Sequence, residues 1–138
     1  MKGLDTNVLV RFLVKDDPTQ AKAAVRYIRD TCTVESPCHI NRIVLCELAW
    51  VLETAYGYPR GTLSDVIGKI LRTSEFLIED ADAAWTALRA YRDERADFAD
   101  CLLGQTNIGR GCETTATFDR QAGRMKEFEL VTADRSPR

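Results

Sequence analysis

Short β-type runs alternating with helix-period stripes constrain this chain more than any other feature. Lys2-Gly3-Leu4 precedes Val8, Leu9, Phe12 and Leu13, whose apolar positions repeat with helical spacing. Asp16-Asp17-Pro18 punctuates the chain, with Pro18 suited to a first helical turn, and Ala21, Ala24, Val25 and Ile28 form the next stripe. A strand is expected around Cys38-His39-Ile40, then a helix around Glu47, a break at Gly57-Tyr58-Pro59, and a helix carrying Leu63, Val66, Ile67, Ile70 and Leu71 on one face. Phe76-Leu77-Ile78 reads as a strand, and Ala84, Trp85, Leu88 and Tyr91 mark another helix. A helix through Asp100, a strand at Thr114 to Phe118 and a last strand at Phe128-Glu129-Leu130-Val131 complete the pattern. Such alternation predicts an α/β fold, a mostly parallel sheet covered on both faces by helices.

Nothing divides the chain into parts: there is no internal repeat or linker, and the Gly57 to Gly61 turn is long enough only to join two antiparallel helices. One domain is expected over residues 1–133, with residues 134–138 a frayed tail. With 138 residues it can bury roughly two-thirds of its unfolded surface, and 45% hydrophobic with 29% charged residues is ordinary for a globular protein. Asp5, Asn7 and Arg11 break any apolar signal-peptide core, and no run approaches the roughly 20 residues of a membrane span, so a cytoplasmic location is expected.

Four acids, Asp5, Glu47, Asp100 and Asp119, then stand out at places where a fold usually puts something else, with a fifth, Asp97, one helical turn before Asp100. Asp5 lies at the first strand-to-helix junction, where open α/β folds bind ligands and where a carboxylate can equally serve as an N-cap. Glu47 interrupts Ile43-Val44-Leu45-Cys46 and Leu48-Ala49-Trp50-Val51-Leu52, a helix apolar on nearly every side and therefore expected to be mostly buried. A carboxylate there must be neutralised, bound to a cation, or paired, with Arg42 or another helix the source of a salt bridge. Asp97 and Asp100, three apart, share a helix face; Asp97 reads as the N-cap and Asp100 as the ligand. Asp119 ends the Thr115-Ala116-Thr117-Phe118 strand, either as a second junction acid or as a turn residue.

Crowded carboxylates repel one another, and oxygen-only ligation without His or Cys selects Mg²⁺ or Mn²⁺ over zinc. Such ions bind substrate phosphates, so phosphoryl transfer or phosphodiester hydrolysis is the natural chemistry. Other chemistries are disfavoured. The five cysteines, Cys32, Cys38, Cys46, Cys101 and Cys112, form no paired-cysteine metal motif and read as reduced packing residues. Cys38 and His39, adjacent on a strand, point to opposite faces, and a single His gives little scope for imidazole catalysis. No glycine-rich phosphate loop follows the first strand; Gly104, Gly109 and Gly111 suit close packing and helix ending.

The stretch Leu4-Asp5-Thr6-Asn7-Val8-Leu9-Val10, the helix Leu45 to Leu52 around Glu47, the Asp97-Phe98-Ala99-Asp100 start and Thr115-Ala116-Thr117-Phe118-Asp119 together resemble the PIN domain, most closely the stand-alone VapC-type toxins. The resemblance implies a three-layer α/β sandwich and a Mg²⁺- or Mn²⁺-dependent single-strand endoribonuclease. Asp5, Glu47, Asp100 and Asp119 would be its metal-binding acids, with Thr6, Asn7, Asp97 and Thr117 in support. Where the family often carries Ser or Thr about six residues before the helix Glu, this chain has Asn41, which can still donate or accept a hydrogen bond. An antitoxin partner and a homodimer are implied on the same ground.

Net charge is −2, against the basic surfaces that a phosphate backbone rewards. Arg11, Arg42, Arg110, Arg120 and Arg124 are the candidate local rim, alongside the ordinary reading of solvated surface arginines. Two rival readings are a PIN fold that binds without cleaving and a phosphoacceptor signalling domain. The latter needs paired acids after the first strand, and only one is present.

Overall fold

The computed structural model describes residues 1–133, so the expected tail at 134–138 lies outside the described residues. Its element order is α1 (Thr6–Val14), α2 (Pro18–Thr31), β1 (Cys38–Ile40), α3 (Arg42–Thr54), α4 (Arg60–Arg72), β2 (Phe76–Ile78), α5 (Ala81–Asp93), α6 (Phe98–Arg110), β3 (Thr115–Thr117), a 3₁₀ turn (Ala122–Arg124) and β4 (Phe128–Leu130). The strand pairings are parallel, as the alternation predicts: β1 with β2 and β3 with β4.

The sheet is more divided than the sequence implies. The expected first strand is reduced to a single bridge between Gly3 and His39, made by Leu4 N–H to the His39 carbonyl at 3.0 Å and His39 N–H to the Lys2 carbonyl at 2.7 Å. It is cut short because the very next residue, Asp5, already caps α1 by accepting from Val8 N–H at 3.0 Å. Among the described residues no ladder joins the β1–β2 pair to the β3–β4 pair.

Local chemistry sets the helix ends. Asp17 accepts from Gln20 N–H with Pro18 in the first turn of α2. Asn41 caps α3 through Val44 N–H. Gly111 ends α6 in the left-handed region at φ 101°, where a side chain would be strained. Gly104 serves packing: a Cβ there would lie 2.7 Å from Phe128 Cε2, so only glycine lets β4 approach α6 this closely. Leu9, Ile40, Leu45, Leu48, Leu52, Leu63, Ile67 and Leu88 are fully enclosed, and Val66 and Leu71 pack at the edge of this core. No described helix is long and apolar enough to cross a membrane.

Two expectations are corrected. Cys32 and Cys38 are joined as a disulfide, with Cα atoms 5.1 Å apart, and only Cys46, Cys101 and Cys112 are free. A tight turn, with Ser36 N–H donating to Thr33 Oγ1 and Thr33 N–H to the Ser36 carbonyl, folds the chain back so that two buried side chains meet. Nor is α3 enclosed on every side. Ile43 and Trp50 are 67% and 65% exposed, and Glu47 shares their solvent-facing stripe. The apolar residues flanking Glu47 therefore do not bury it.

Candidate functional site

The acids are delivered in two groups. In the first, Asp5 and Thr6 begin α1, which packs on α3. Thr6 Oγ1 donates to Glu47 Oε1 at 2.8 Å, so the hydroxyl of the first motif fixes the carboxylate of the second across 41 residues of chain. Asp5 uses Oδ1 for its cap to Val8. Beside them Asp5 and Asn7, with Arg11 and Tyr27, line a groove of about 670 Å³ between α1 and α2.

In the second group, Asp97 and Asp100 at the start of α6 and Asp119 after β3 line one cleft of about 260 Å³, together with Arg95, Ala96 and Gln121. Partial burial pushes the Asp100 carboxyl above its ordinary value, and the charges of Asp97 and Asp119 push it further. Asp119 is anchored by one oxygen, Oδ1, which accepts from Gln121 N–H at 2.8 Å and Ala122 N–H at 2.9 Å. Its own N–H donates to Thr117 Oγ1 at 3.0 Å. Asp97 occupies the N-cap position of α6, as its sequence position predicts, yet its side chain makes no capping hydrogen bond.

Cys46, half-buried on α3 one residue before Glu47, feels acids of both groups. Burial raises its thiol pKa, Arg42 opposes this, and the charges of Asp100 and Glu47 both raise it further, so the two acids act on one side chain from α6 and α3. Still, among the described residues no three His, Cys, Asp or Glu side chains stand close enough together to hold an ion.

The basic rim differs from the sequence reading. Arg42, offered both as a partner of Glu47 and as an RNA contact, is instead committed to Glu79, Asp80 and Thr106. Five residues from Glu47 on the same helix, it projects from a different side of α3. Arg11 is held by Asp16 at 3.0 Å and Gln20 at 2.7 Å. Arg110, Arg120 and Arg124 are exposed. Arg95, which the sequence reading passed over, is the arginine lining the acid cleft; its one signal is its place two residues before Asp97.

A family model of the PIN domain matches residues 3–128. This chain is a PIN-domain protein. As a PIN domain it is 25% identical over 134 residues to a VapC ribonuclease of Aquifex aeolicus (strain VF5), an alignment that covers 97% of this chain and 96% of that protein. No solved structure matches this PIN domain.

Proposed function

We propose that this PIN domain is a metal-dependent endoribonuclease of the VapC type. Asp5, Glu47, Asp100 and Asp119 would hold Mg²⁺ or Mn²⁺, supported by Thr6, Asn7, Asn41, Asp97 and Thr117. The observation that carries the reading is Asp100, drawn into a partly buried cleft with two further carboxylates that hold its pKa up. Acids assembled at such a cost are relieved by a bound cation, and this oxygen-only donor set fits a hard divalent ion. The likeness to a VapC ribonuclease supports RNA as the substrate.

Each anchored acid gives one oxygen to the protein. Asp5 does so to Val8 N–H, Glu47 to the Thr6 hydroxyl and Asp119 to the backbone of the 3₁₀ turn. That leaves the second oxygen of each for a ligand, with its orientation already fixed. When bound, the ion would polarise the scissile phosphate and lower the pKa of an attacking water. Arg95, at the cleft, is placed to meet a phosphate of the RNA strand. By likeness to VapC toxins, the chain would work in the cytoplasm as a homodimer restrained by a cognate antitoxin.

The test is incubation of a mixed tRNA and rRNA pool with purified protein in Mg²⁺, Mn²⁺ or EDTA, with Asp100→Asn alongside. Discrete fragments requiring both metal and Asp100 are expected. Metal-independent cleavage, or equal turnover by the variant, would refute the assignment. A binding-only PIN fold is the second reading, favoured by the absence of three converging ligands among the described residues. Retention of RNA without any cleavage would establish it.

A further inference from the structure

We propose that Arg60, the first residue of α4, is a positioning residue for the acid cleft and acts through the turn between α5 and α6. The proposal deepens the nuclease reading and rests on it for what the cleft does. The Arg60 guanidinium lies 3.9 Å from the centroid of the Tyr91 ring and donates to three backbone carbonyls: Tyr91, Glu94 at 2.7 Å and Ala96 at 3.2 Å. One side chain thus binds the last turn of α5, its C-terminal cap and the residue immediately before Asp97.

Two routes lead from this clasp to the acids. Ala96 is itself a wall of the cleft shared by Asp97, Asp100 and Asp119. Tyr91 packs edge-on against Phe98, the first residue of α6, with ring centroids 6.1 Å apart, and both rings are buried. The start of α6 needs such support because the Asp97 side chain makes no capping bond to it. What fixes the first turn of α6, and with it Asp100, is therefore an arginine 40 residues upstream that touches neither acid. The planar guanidinium fork serves three acceptors and stacks on a ring at once, which an ammonium group does not do.

The test compares wild type, Arg60→Met and Arg60→Lys by amide hydrogen exchange, Mn²⁺ affinity, and kcat and KM on cleaved RNA. In Arg60→Met, exchange should quicken at residues 101–104, the first hydrogen-bonded amides of α6, while α1 and α2 keep their protection. Mn²⁺ affinity should fall about ten- to hundredfold, as when a group orienting a metal ligand is lost, and kcat should fall with KM little changed. Arg60→Lys should recover only part of each effect, and it carries the test if the Met variant fails to fold. Wild-type Mn²⁺ affinity in either variant, or exchange quickened evenly over the molecule, would overturn the proposal and leave Arg60 an ordinary stabilising residue. If the wild type neither binds Mn²⁺ nor cleaves RNA, the nuclease reading falls. Local exchange at 101–104 then decides separately whether Arg60 shapes the cleft.

Discussion

Two carboxylate clusters on this molecule use the same residue types to opposite ends. At the base of α3, Glu79 and Asp80 meet Arg42, with Nε to Glu79 Oε2 at 3.4 Å and Nη2 to Asp80 Oδ2 at 3.7 Å. The Arg42 N–H also donates to Glu79 Oε1 at 2.9 Å, and this bond, with the guanidinium charge, holds the Glu79 carboxyl below its usual range. At the start of α6, Asp100 has burial and two like charges around it, and its pKa is raised. The first cluster is completed by the protein itself. The second is left in electrostatic deficit; that deficit sets it apart from a cluster that only holds the fold together, and the proposed cation site rests on it.

The largest stability effect that tests this contrast is expected from Arg42→Met. It leaves Glu79 and Asp80 without their cation and Thr106 without its 2.7 Å donor, and should cost about 2 kcal/mol in denaturant unfolding. A loss below a few tenths would show the cluster to be a surface ornament. Glu79→Gln comes next, at about 1 kcal/mol for a half-exposed group that also caps the Arg42 N–H. Its pH dependence follows from the depressed pKa. The stabilisation is present above the ordinary value of 4.5 and is lost as pH falls through the lower folded value. The gap between wild type and Glu79→Gln should accordingly narrow below pH 4.5. A gap that widens in acid would reverse the assignment.

The contrast between the clusters was only half visible in the sequence. Local periodicity located the helices and the short strands at Cys38–Ile40 and Phe76–Ile78, because helix and strand repeats depend on neighbours along the chain. The three-residue spacing put Asp97 and Asp100 on one face, and both line the cleft with Asp119. Long-range pairing was not legible. Arg42 is nearer to Glu47 in sequence, yet its partner is Glu79, 37 residues away. A helix apolar all round predicts an enclosed Glu47, and nothing local announces that Ile43 and Trp50 stay in solvent. The Cys32–Cys38 disulfide and the Arg60 clasp escape for the same reason, since each depends on a turn bringing distant atoms together.

In the second cluster the sign should reverse. Because the folded pKa of Asp100 lies above its ordinary 3.8, ionising it costs folding free energy. The penalty is absent below pH 3.8, sets in as pH rises past that value, and is complete above the raised folded value. Asp100→Asn should thus melt higher than wild type at neutral pH in EDTA and match it in strong acid. Saturating Mn²⁺ should stabilise the wild type by mass action and leave the variant almost unmoved, so that the order of melting temperatures inverts. A variant that melts lower in EDTA would mean that Asp100 is already satisfied within the protein, and the contrast between the clusters would fail.

Asp97→Asn offers the smallest and most discriminating effect. Its carboxylate is exposed and raises the Asp100 pKa only through charge, so neutralising it removes a repulsion. Against this, an acid at a helix N-terminus gains about 0.3–1 kcal/mol from the helix dipole. The two effects nearly cancel, and Asn is itself a good N-cap, so a net change within about 0.5 kcal/mol is expected in EDTA. Salt separates them. Both weaken with ionic strength, but repulsion in the partly buried cleft is screened less than attraction at the exposed helix end. Raising the salt should therefore move the balance toward the variant. Movement toward the wild type would mean that the repulsion is the more strongly screened of the two, and would place it in open solvent rather than in the partly buried cleft around Asp100.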